Sequence, residues 1–176
     1  IVARVLPGCD PVHKVTIIPR GQALGVTQTL PTEDRLSYYR NNALDWIAMA
    51  MGGRLAEEII NGEMSSGAAN DIERATSLAR AMVTEWGMSE KLGPLSYGQP
   101  EGEVFLGRSM GSRTKDYSEA TAIEIDNEVR RIVTEQYNKA KQILLERREI
   151  LETMADALME YETLDGEDLD ILMAGG

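Results

Sequence analysis

The chain has 176 residues, 18 Lys and Arg against 29 Asp and Glu, a net charge of −11 and an apolar fraction of 43%. That length and apolar content suit one domain or a compact pair with a real core, and the acidic balance excludes nucleic acid as a natural partner because a phosphate backbone would be repelled. A single cysteine, Cys9, excludes an internal disulfide, and no apolar run reaches the roughly 18 residues of a membrane-spanning helix, so these residues read as soluble.

The opening "IVARVLPG" reads as the end of an amphipathic helix stopped by Pro7-Gly8, with further chain expected upstream. In "DPVHKVTIIPRGQALGVTQTLP" the β-branched clusters Val15 to Ile18 and Val26 to Thr29 flank the loop "PRGQALG". They predict a β-hairpin that lies on helices and keeps at least one edge open. Asp34 to about Asn61 is predicted helical, with Leu36, Tyr39, Ala43, Ile47, Ala50 and Leu55 toward one side. Gly52-Gly53 interrupts it at about 1 kcal/mol per glycine relative to alanine, which points to close approach of another backbone or to a break.

The next helix follows "SSGAAND", with Ile72, Ala75, Ala79, Met82, Val83 and Trp86 as its apolar stripe and Gly87 as its C-cap. Glycine-rich sequence from Gly87 to about Lys115, with the short apolar pieces "GPLSYG" and "EVFLG", predicts an irregular connector. Tyr117 to Leu145 predicts a long helix carrying Val129, Val133, Tyr137, Ala140 and Leu144. A second begins near Arg148, and Thr163 or Asp165 caps a last short one. The fold class is mainly α with a small β-hairpin near the N-terminus, divided into a subregion of residues 1–115 and a C-terminal helical bundle of residues 116–176.

Chemistry is sparse on the residues alone. There is no GxxxxGK[ST] and no GxSxG. Ser65 and Ser66 precede a helix and read as caps, and His13, beside Lys14 on a strand, reads as a surface residue. One His and one Cys do not suggest a zinc site, which commonly takes three protein ligands. Asp71 stands one turn into its helix, past the N-cap. Complementing the helix dipole is the plainer reading, and reaching a cation from a rigid platform is the sharper one.

"DPVHKVTIIPRGQALGVTQTLP", "MGGRLAEEII", "SSGAANDIERATSLARAMVTEWGMSEKLGPLSYG", "EVFLGR" and "ALMEYETLD" together closely resemble the peptidase domain of FtsH, the membrane-anchored, ATP-dependent zinc metalloprotease family. The motifs run in order through essentially all of the chain. The resemblance implies a homohexamer at the cytoplasmic face of a bacterial inner membrane, in which an AAA+ ATPase domain of the same polypeptide, using ATP and Mg, feeds unfolded membrane and cytosolic proteins to the protease. It implies zinc held by two histidines of an HExxH helix and a distant aspartate, which matches Asp71. Glu57, in "MGGRLAEE", matches an acidic position near the metal, where it would orient a histidine ligand. Its plainer reading is a helix salt bridge to Arg54.

The strand Val15, Thr16, Ile17 and Ile18 would offer its edge to an extended substrate, since main-chain pairing gives affinity without demanding a sequence. With one histidine the chain holds no HExxH, and the family pattern puts that motif directly before Ile1. Taken by themselves, these 176 residues are therefore expected to be inactive and to bind no zinc tightly. The reading of another class is a non-catalytic oligomerisation domain that scaffolds a ring.

Overall fold

The computed structural model describes residues 1–21, 23–31, 37–98 and 117–175. In chain order they form α1 (Val2–Val5), β1 (Val12–Thr16), β2 (Val26–Thr29), α2 (Arg40–Ala50) and α3 (Gly52–Asn61). A single 3₁₀ turn (Ser66–Ala68) then enters α4 (Ala69–Thr84), followed by α5 (Glu119–Glu146), α6 (Arg148–Tyr161), β3 (Thr163–Asp165) and α7 (Gly166–Met173). The fold is mainly α with one small antiparallel sheet.

The expected hairpin is present, but it is two-thirds of a sheet. Strand order is β2-β1-β3, with β1 antiparallel to both neighbours. β1 begins earlier than expected and ends at Thr16, leaving Ile17 and Ile18 beyond it. β3 is three residues long and pairs from about 150 residues away, so no local pattern announces it. Pairing with β3 removes the open edge expected at Val15 and Thr16. Past the strand, Ile17 N–H donates to Glu162 O at 3.0 Å and Ile18 N–H to Thr16 Oγ1 at 3.1 Å.

The predicted helix from Asp34 to Asn61 divides in two and starts later. Residues 32–36 lie outside the described residues. Tyr39, extended at φ −81°, is the N-cap of α2, and Met51 separates α2 from α3. The glycines are not forced by crowding: a Cβ on Gly52 would meet Val2 Cγ2 at an ordinary 3.5 Å, and one on Gly53 would meet nothing. In α4, Ala75, Ala79, Met82 and Val83 are fully buried, whereas Ile72 and Trp86 keep 36% and 37% of their surface exposed and lie at the margin of the stripe. Gly87 is required. Its φ is +60°, and a Cβ there would come within 2.8 Å of Pro94 Cα. Beyond α4, residues 85–98 form neither helix nor strand, while "EVFLG" lies outside the described residues.

α5 packs against α2, α3 and α4. Ile47, Leu55, Met82, Ile125 and Ile132 close the main core between them, each contributing about 2 kcal/mol of burial. This core therefore spans both halves of the sequence. A smaller cluster of Val12, Met154, Leu164 and Leu169 joins the sheet to α6 and α7. Asp165, not Thr163, caps α7 through a reciprocal capping box with Asp168.

Three polar anchors fix the packing. Asp45, buried on α2, accepts Gly8 N–H at 2.9 Å and pairs with Lys139 of α5 at 2.7 Å. Arg4 donates to Val12 O, Gly166 O and Asp170, tying α1 to β1 and α7. Glu128, buried on α5, receives two bonds from Arg131 and one from Ser89, and so fastens the loop after α4.

Candidate functional site

Asp71 lies in the first turn of α4, half-buried. The opposite, C-terminal part of that helix is locked in the core by Met82 and Val83, so the residue stands on a rigid element. No hydrogen bond or ion pair engages its carboxylate among the described residues. Arg74, three residues on, turns instead to Trp46, with its guanidinium carbon 5.0 Å from the ring centroid. An aspartate that no partner engages among the described residues, on a fixed helix end, can serve an external cation.

The segment before Asp71 is held from α3. Glu57 accepts Ser65 N–H at 3.1 Å and the Ser65 hydroxyl at 2.9 and 3.0 Å, one oxygen each. Ser65 Oγ in turn accepts Gly67 N–H at 3.1 Å, capping the 3₁₀ turn. Arg54 is not paired with Glu57 as the salt-bridge reading had it. Its guanidinium reaches Ser65 O at 3.2 Å and Met64 Sδ at 2.6 Å. Ser65 is thus a cap, as expected of a serine before a helix, but its grip by Glu57 and Arg54 was not foreseen. The one available signal was Asn61-Gly62, a helix stop that turns the chain back along α3. Gly62 is indeed the C-cap, at φ +69°.

The neighbouring Glu58 engages α5. Lys141 Nζ donates to it at 2.6 Å and the Tyr137 hydroxyl donates to its other oxygen. Both bonds, that to Lys141 first, hold the Glu58 carboxyl below its ordinary range, and burial followed by the Glu58 carboxylate raises the Tyr137 phenol. α3 is consequently clamped to the core on one side and to the Asp71 loop on the other.

A metal-ligand test gives a divided answer. Asp71 supplies a hard carboxylate oxygen of the right kind for zinc. Among the described residues, however, no group of three His, Cys, Asp or Glu could hold an ion. His13 sits exposed in β1 and Cys9 Sγ contacts Asp45 O at 3.4 Å. Asp71 fits as one ligand, and any zinc here would need the others from outside the described residues. Glu57, expected to orient a histidine, is occupied by Ser65. An open depression of about 420 Å³, walled by Tyr38, Trp46, Asn70, Glu73 and Arg74, flanks the same helix without including Asp71. Among the described residues no helix is long and apolar enough to cross a membrane.

Residues 1–172 match the sequence profile of Peptidase family M41. The chain is 64% identical over 176 residues to the ATP-dependent zinc metalloprotease FtsH of Myxococcus xanthus, covering all of this chain and 27% of that protein. It is 55% identical over 176 residues to FtsH 4 of Sorangium cellulosum, covering 99% of this chain and 27% of the relative. It is 51% identical over 175 residues to FtsH 1 of Bdellovibrio bacteriovorus, with the same coverage. These proteins bear the name ATP-dependent zinc metalloprotease, and the chain spans about a quarter of their length.

Proposed function

The chain belongs to peptidase family M41, and from that premise we propose that it is the peptidase region of an ATP-dependent, membrane-anchored zinc endopeptidase acting on unfolded proteins. The observation that carries the reading is Asp71, a carboxylate that no hydrogen bond or ion pair engages among the described residues, on the first turn of a core-locked helix. In this assignment Asp71 is the third zinc ligand, and two histidines of an HExxH helix outside these residues supply the others. Bound zinc supplies Lewis acidity and an activated water for peptide hydrolysis.

The chain's own part is positional. α4 presents the carboxylate, α3 holds the loop that leads to it, and the sheet offers an extended substrate a pairing edge. Since β1 is flanked on both sides, that edge is the outer side of β2, Val26–Thr29. A homohexamer, an AAA+ domain using ATP and Mg, and a place at the cytoplasmic face of the inner membrane complete the proposal and rest on similarity alone.

The test is zinc content and peptide hydrolysis of the intact protein purified from its host. About one zinc per chain, lost together with hydrolysis in Asp71→Ala, supports the reading. Retention of both in the variant sinks it. One rival is a ring scaffold without catalysis. An intact protein that carries no zinc and still forms a ring decides for that rival.

A further inference from the structure

Asp71 can serve a metal only if its carboxylate is held in place, and α4 has no side-chain cap of its own, since Ala68 at the N-cap contributes none. The capping bond lies upstream at Ser65. Every polar group of that residue is used: N–H and hydroxyl to Glu57, the oxygen lone pair to Gly67 N–H, and the carbonyl to Arg54. Gly67 fits closely against this arrangement, because a Cβ there would lie 3.2 Å from Ser65 Oγ and 3.8 Å from Glu57 Oε1. Both Ser65 and Gly67 are exposed, so these bonds compete with water and add little to stability. Four of them nonetheless converge on the residue that starts the turn into α4, six positions before Asp71.

We infer that Glu57 and Ser65 form a positioning clasp that fixes the 3₁₀ turn, and through it the Asp71 carboxylate, for a divalent metal ion. The inference rests on the zinc reading proposed above. Ligand distances in such sites are held to about 0.2 Å, and an exposed turn without a clasp does not keep a carboxylate that still. The base of the clasp is firm because Glu58, next in sequence, is gripped by Tyr137 and Lys141 of α5. Neither Glu57 nor Ser65 touches the ion in this assignment. Both act through the backbone between residues 65 and 71.

The experiment uses the intact protein, with zinc alone as the probe. It reads amide exchange at residues 67–71 in the metal-free state and the zinc dissociation constant. Ser65→Ala and Glu57→Gln are expected to speed exchange there and to weaken zinc binding about tenfold or more. Ser65→Thr keeps the hydroxyl and restores both. Unchanged exchange in Ser65→Ala overturns the clasp, and so does faster exchange with unaltered zinc binding. Weak binding in Glu57→Gln beside normal binding in Ser65→Ala gives Glu57 a direct role at the metal and overturns the clasp too. Wild-type protein that binds no zinc overturns the metal reading and the positioning role together, an outcome told apart by its appearance before any substitution.

Discussion

Asp45 on α2 and Glu57 on α3 each accept a backbone N–H from a neighbouring loop, Gly8 at 2.9 Å and Ser65 at 3.1 Å. Their surroundings differ. Asp45 is 5% exposed, so its bond to Gly8 is little contested by water, although its other partner, Lys139, reaches solvent. Glu57 is only half-buried and its partner Ser65 is exposed, where water competes for each bond. The same chemistry therefore yields stability at the first place and geometry at the second. A buried carboxylate cannot be removed without stranding its partners, whereas an exposed one can be removed cheaply but leaves its loop free to wander.

The sharpest way to break that comparison is at its buried end. Asp45→Ala leaves Gly8 N–H without its acceptor, while the Lys139 side chain, 45% exposed, can be rehydrated, and is expected to lower unfolding free energy by about 2–3 kcal/mol in urea titration. A loss within the scatter of ordinary surface substitutions would show the anchor to be dispensable. Gly8→Ala attacks the same contact sterically. Its Cβ would lie 2.7 Å from Asp45 Oδ2 and 3.0 Å from Asn42 Cα, and one of those neighbours is backbone, so a loss of about 2 kcal/mol is expected.

Glu128 extends the comparison to pH. Hydrogen bonds from Arg131, and then from Ser89, hold its carboxyl below the ordinary 4.5 against an opposing push from burial. A carboxyl depressed in the folded state contributes stability that is present above the unfolded value and lost as pH falls through the folded one. Urea stability attributable to Glu128 should therefore be level from neutral pH down to about 4.5 and decline below it. Glu128→Gln should be less stable at pH 7 and should decline less steeply in acid. Parallel acid limbs for the two proteins would remove Glu128 from the account.

The same contrast explains what was legible in the sequence. Helix faces were readable where burial repeats locally, as at Ala75, Ala79, Met82 and Val83, and the last helix start was narrowed to Thr163 or Asp165 because capping chemistry is local, whereas α4 stops at Glu85, two residues before the glycine that the pattern offered as its cap. β3 was not readable, since three residues carry no period and their pairing energy comes from β1, far away in sequence. Ile72 and Trp86 misled because an apolar residue at the right spacing can still lie at the edge of a stripe. At the candidate site, Asp71 could be placed on its helix from spacing, but its lack of a partner among the described residues could not. Glu57 was singled out only through resemblance, and the partner it holds, Ser65, is fixed by the reversal at Gly62, whose exact angle no residue pattern encodes.

The exposed end of the comparison supplies the smallest expected effect. Ser65→Ala removes the cap of a single 3₁₀ turn and the hydroxyl that reaches Glu57, while Glu57 keeps the Ser65 N–H and can be rehydrated where it loses the hydroxyl. Caps of this kind are worth about 1 kcal/mol, and exposure puts this one at or below that value. Urea titration should therefore place Ser65→Ala within about 1 kcal/mol of wild type, well below the loss at Asp45. A loss equal to that of Asp45→Ala would mean that the Glu57 and Ser65 bonds carry the fold itself. The division between a stabilising interior anchor and a surface clasp that sets position would then collapse.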